Sequence, residues 1–195
     1  MSQSADLVHA ELRDLYERMV ACFVATIPPM LASHADEDLY ALAVTTDSDV
    51  TTCRLLAHTE EALAAIPEVD DEPEYYRWWP DEWSIHDWEV DPESGAETTT
   101  DLSRDLFDLE RTATASGIMV NDWHKAARDI LQAALGHELV AQSVTNINPD
   151  WAPVLFVADT DGDQQPTLDS IDQLNAEHPD PELVAAARTF FAENS

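Results

Sequence analysis

Leu7, Leu12, Leu15, Met19, Phe23 and Ile27 return every three to five residues between polar positions, the spacing that lines one face of an α-helix. This predicts a helix over 4–26, ended at Pro28-Pro29 because proline brings no N–H to the turn. Two apolar runs follow at 39–46 and 51–57, separated by the turn-forming Asp47-Ser48-Asp49. They predict a β-hairpin whose first strand is apolar enough to be central. Thr59 then reads as the cap of a short helix through Ile66, ended by Pro67. Helical spacing resumes over 101–115 and over 121–139, the latter interrupted by Gly136. A short apolar run at 153–158 predicts a third strand ending in the turn 159–163, and helices are predicted over 168–175 and 181–192.

Between 68 and 97 the periodicity stops. This stretch holds twelve acidic residues, one Arg and three Pro, together with four of the six Trp of the chain. It predicts a long specialised loop in an otherwise regular chain. The elements give an α+β fold in one domain over 1–195: a small, mainly antiparallel sheet built on the hairpin and covered by several helices.

Charge alters this picture more than composition does. Forty Asp and Glu against nine Lys and Arg leave a formal net charge of −31, while 45% hydrophobic residues supply enough apolar surface for a core. Such a charge repels phosphates and anionic head groups, so direct nucleic-acid and membrane binding are disfavoured and a basic protein is the favoured partner. No run approaches the roughly 18 apolar residues of a membrane span. The start Met1-Ser2-Gln3-Ser4 lacks the basic and apolar regions of a signal peptide, so a cytoplasmic location is expected.

Familiar chemistry is scarce. Cys22 and Cys53 lack CxxC spacing and are expected as reduced core residues on a helix and a strand. No two of the seven His stand four apart, so no metal is expected. Asp159, Asp161 and Asp163 resemble a calcium loop, but Gln164 and Ser170 stand where that loop needs Gly and Glu, and a solvated turn is expected instead. His124 beside Asp122 is the one conceivable isolated base. With four Gly in the chain and no phosphate-binding or dinucleotide loop, no cofactor is expected.

The aromatic stretch differs, because Trp, Tyr and Arg carry much of the binding energy at protein interfaces. The candidate binding residues are Tyr76, Arg77, Trp78, Trp79, Asp81, Glu82, Trp83 and Trp88. The competing expectation is that these rings pin the loop to the core and that Arg77 pairs with a nearby acid.

The block Tyr75-Tyr76-Arg77-Trp78-x-Pro80-x-Glu82-Trp83, the strand and Asp-bearing turn at 41–49, the Thr59-Glu60-Glu61 helix start, and Leu155-Phe156-Val157-x-Asp159 followed by Ser170 and Leu174-Asn175 resemble the bacterial domain-of-unknown-function family four-three-zero-three. The resemblance spans most of the chain. It implies a small cytoplasmic protein, some of whose relatives look like companions of toxin and immunity systems, and it brings no catalytic residues.

The functional expectation is therefore a non-enzymatic binding module, of immunity type or otherwise toxin-linked, that holds a basic partner on an acidic and aromatic surface. Two alternatives stay open. One is an enzyme with a cleft at the aromatic loop, using Arg77 with Glu82 or His86. The other is a nucleic-acid mimic resting on charge alone.

Overall fold

The structure, a computed structural model, describes residues 3–89 and 96–194. Positions 90–95 of the acidic stretch thus lie outside the described residues, as do the side chains of Leu7 and His9.

The first helix, α1, is Gln3–Leu31. It runs past the expected stop, with Pro28 and Pro29 inside its last turns. Ile27, Met30 and Leu31 are all buried there, and their packing outweighs the two hydrogen bonds that the prolines cannot donate. The stretch Ala10–His34 also reaches a mean hydropathy of 1.2, enough in length and composition to cross a membrane, contrary to the sequence reading. Its apolar face, from Leu12 to Leu31, packs in the core.

The hairpin forms from β1 (Leu39–Thr46) and β2 (Arg54–Thr59). Thr51 and Thr52 belong to its turn rather than to the strand. Asp47 accepts both the backbone N–H and the hydroxyl of Thr51, at 2.7 Å each. Val50 sits in the same turn at φ 55°, a costly conformation for a β-branched residue, and its side chain is buried in the core. Cys53 precedes β2 instead of lying in it. Both thiols are free and buried, and burial pushes Cys22 up to about 11 and Cys53 upward as well.

Thr59 caps α2 (Glu60–Ala64), accepting the Ala62 N–H. The expected long loop is instead α3 (Pro73–Trp78), a 3₁₀ turn at Pro80–Glu82, and the two-residue strand β3 (Ile85–His86). Next come α4 (Thr99–Ala115), opened by a Thr98/Asp101 capping box, and α5 (Val120–Leu135). The helix expected through 139 ends at Leu135, and a separate α6 (Glu138–Thr145) begins with His137 Nδ1 as its cap. Gly136 allows this break, since a Cβ there would lie 2.7 Å from Leu174 Cδ2. The chain closes with β4 (Val154–Asp159), α7 (Gln165–Leu174) and α8 (Pro181–Glu193).

The sheet order is β3-β2-β1-β4, antiparallel except for the parallel β1–β4 pair. All eight residues of β1 are buried, as a central strand requires. Leu42 and Val44 face α1, α4, α5 and α6, whereas Ala41 and Ala43 face Trp78, Trp83, Phe156 and Phe191. Small residues on that second face of β1 leave room for the rings.

The outer edge of β4 is closed by side chains of α7 and its flanks. The N–H groups of Leu155, Val157 and Asp159 donate to Asn175 Oδ1 (2.9 Å), Ser170 Oγ (2.9 Å) and Thr167 Oγ1 (3.2 Å). Asn175 and Gln164 return bonds to the Leu155 and Asp159 carbonyls. Edge strands left open invite pairing with another chain; here each outward donor is taken. At the other side, the Leu55 N–H donates to buried Asp87 and the Cys53 N–H to Ser103.

Candidate functional site

Pro73 supplies the first turn of α3, a position that needs no N–H. Along it, burial rises from exposed Glu74 through half-buried Tyr75, Tyr76 and Arg77 to buried Trp78. Trp78 is fully buried, meets Tyr40 edge-on at 5.5 Å, and donates its indole N–H to Glu74 (3.1 Å). Trp83 is also buried; it stacks on His58 at 5.4 Å and meets Phe156 edge-on.

Arg77 ties the segment down from two directions. Its guanidinium donates to both oxygens of Glu60, at 2.7 and 2.8 Å, and lies over the Tyr40 ring. Its carbonyl accepts from the Tyr40 hydroxyl (2.9 Å) and from the Trp83 indole (3.2 Å). Donating to Glu60 raises the already high guanidinium pKa, so Arg77 is a charge already matched.

Because the Tyr40 hydroxyl donates to Arg77, its 2.5 Å contact with His58 requires the imidazole to donate from Nδ1. Nε2 is then a buried acceptor, without a partner among the described residues. Burial, with Arg77 nearby, pushes the His58 pKa down to about 4, and burial raises that of the Tyr40 phenol. This cluster is neutral, apart from the Arg77–Glu60 pair.

The outer surface is built from what remains. Tyr76 is half-buried, and its phenol pKa is raised by lost solvent and by Glu68, Glu82, Glu72 and Asp71. Tyr75 donates to Glu82 at 3.0 Å and stacks on half-buried Trp79, whose ring also meets Phe190 and Phe191. Exposed Asp81 has its carboxyl pushed up by partial desolvation and by Asp161 and Glu82. Trp88 stands apart, 56% exposed, stacked on His86 at 3.5 Å with the Arg54 guanidinium near its face.

Of the eight candidates, then, Tyr76, Asp81, Glu82 and Trp88 offer surface, and Trp79 offers part of its ring. Trp78 and Trp83 are corrected to core residues, because the Ala41 and Ala43 face of β1 needs their bulk. Tyr75, Glu68, Asp71 and Glu72, which were not among the eight, join the surface. Tyr75 and Tyr76, adjacent in the chain, meet edge-on with ring centroids 5.4 Å apart.

One other expectation changes. Asp159 is not in a solvated turn; its carboxylate is buried and accepts from Arg128 at 2.6 Å. Among the described residues no group of three or more His, Cys, Asp or Glu is placed to hold a metal. His124 lies 3.9 Å from Asp49.

Residues 19–176 match the family described as Domain of unknown function (DUF4303). No curated protein and no solved structure matches the chain.

Proposed function

The chain belongs to the DUF4303 family, and from its surface we propose that it is a non-enzymatic binding module that holds a basic protein on the acidic, aromatic face of α3. The observation that carries this reading is Tyr76, half-buried among Glu68, Asp71, Glu72 and Glu82 on a segment anchored to the core through Arg77, Trp78 and Trp83. A partner's Arg or Lys would meet carboxylates and a ring face together, where charge steers encounter and the aromatic surface supplies contact area. In the immunity-type version the basic partner is a toxin.

The enzymatic alternative draws less support. Arg77, its proposed anion-binding group, is held by both oxygens of Glu60, and Glu82 is held by Tyr75.

The test is retention of partners from the native host on the immobilised protein. The wild type is compared with a Tyr76→Ala, Asp71→Asn, Glu82→Gln variant and with a charge-matched control, Asp108→Asn, Glu177→Gln, on exposed faces elsewhere. Loss of a basic partner in the first variant alone supports the reading. An identical set of retained proteins in both variants would sink it.

A further inference from the structure

Between α5 and α7, beyond the carboxyl ends of the parallel pair β1 and β4, lies a groove of about 380 Å³. Crevices at the carboxyl ends of parallel strands are the usual ligand positions of open sheets, and this volume lies in the range of small-molecule sites. The two walls differ in charge. From α5 come His124, Lys125 and Arg128, and from α7 and the turn before it come Asp163, Gln165 and Asp169. Lys125 is the only lysine among nine basic residues in a chain of net charge −31, and its place beside Arg128 puts two of those nine on one wall of the groove.

The cationic wall is built on a fixed side chain. Arg128 Nη2 donates to buried Asp159 at 2.6 Å and to the Ser48 carbonyl at 3.5 Å. Among the described residues its Nε is buried without an acceptor, and the hydroxyl of Thr46, the residue paired with Asp159 across the parallel strands, is buried without a partner. Nη1 makes no bond among the described residues. Asp129 also lines the α5 wall, but it pairs with Lys125 at the open rim, where both side chains are mostly exposed and the pair is screened.

A simple anion attracted to Lys125 and Arg128 would be repelled by Asp163 and Asp169, and a simple cation would meet the reverse. A ligand carrying both charges a few bonds apart satisfies both walls. We propose that this groove binds a small zwitterion of the free α-amino acid class, with its carboxylate toward His124, Lys125 and Arg128 and its ammonium toward Asp163 and Asp169. The site is separate from the α3 face and does not rest on it.

NMR titration of the ¹⁵N-labelled protein with glycine and with L-glutamine tests the proposal, with acetate and methylammonium as the two halves of the ligand. The expected result is saturable shifts at 124–128 and 163–169 with at least one amino acid, and binding of each half at least about tenfold weaker. His124→Gln and Asp169→Asn, checked for unchanged spectra elsewhere, should each weaken the amino acid by about tenfold. No saturable shift from either amino acid would overturn the proposal. So would acetate or methylammonium binding as well as the zwitterion, or full affinity in both variants.

Discussion

The side-chain amide of Asn175 pairs with the backbone of Leu155 as a neighbouring strand would: the Leu155 N–H donates to Oδ1 at 2.9 Å and Nδ2 donates to the Leu155 carbonyl at 2.7 Å. A second bond from Nδ2 reaches the Ile171 carbonyl at 2.8 Å, so the same amide also closes the end of α7. Asn175→Ala leaves a buried donor and acceptor unmatched, and unfolding in urea should show a loss of about 1–3 kcal/mol. Thermal unfolding should fall by about 2–4 °C for each kcal/mol in a chain of this size. Light scattering should also reveal self-association through the opened β4 edge; an unchanged midpoint would remove this edge-closing role.

Trp78→Ala and Trp88→Ala should part company. The first empties a fully buried site and should cost about 3–5 kcal/mol by denaturant unfolding. The second trims a ring that is 56% exposed, and its stability should stay within about 0.5 kcal/mol of wild type. Equal destabilisation would contradict the inward and outward placement of these two indoles.

His58 makes stability depend on pH. Its folded pKa, about 4, is below the ordinary imidazole value of 6.5, so the unfolded chain takes up the proton first. Its contribution is intact above pH 6.5, declines as pH falls from 6.5 through about 4, and is lost below that. The full loss is on the order of 3 kcal/mol. Urea midpoints measured across this window should fall more steeply for the wild type than for His58→Gln; parallel curves would rule His58 out as the cause.

Arg128 and Asp159 should behave as a unit. Arg128→Gln leaves a carboxylate with a side chain only 2% exposed and no cation beside it, and should cost about 3–5 kcal/mol. Asp159→Asn added to Arg128→Gln should recover much of that, because the buried charge is gone. Additive losses in a double-mutant cycle would show that the two side chains act independently.

The helices and strands were legible wherever a period of 3.6 or an apolar run was long, as in β1, α4 and α8. The errors came where tertiary contacts overruled local signals. Pro28 and Pro29 read as a stop, but the buried Ile27, Met30 and Leu31 carry α1 onward. Gly136 read as an interruption within one helix, whereas Leu174 packs against it from α7 and the chain starts α6 beyond it. In the aromatic stretch the residue types were informative but their directions were not. Whether a Trp faces in or out depends on the alanines of β1, more than thirty positions away in the sequence. The parallel pairing of β4 and the edge bonds from Thr167, Ser170 and Asn175 had no local signature either, since they join side chains to another element's backbone.

The double attachment of Arg77 has a consequence for recognition. With its carbonyl held by Tyr40 and Trp83 and its guanidinium held by Glu60, the helix that presents Tyr75 and Tyr76 is already in place before any partner arrives. Ordering a side chain on association costs about 0.5–1.5 kcal/mol, and a face held this way has part of that ordering done by the fold. If the proposed binding role holds, a partner would cost little freedom on this side, and selectivity would come from the shape of a held platform rather than from a loop closing around its target.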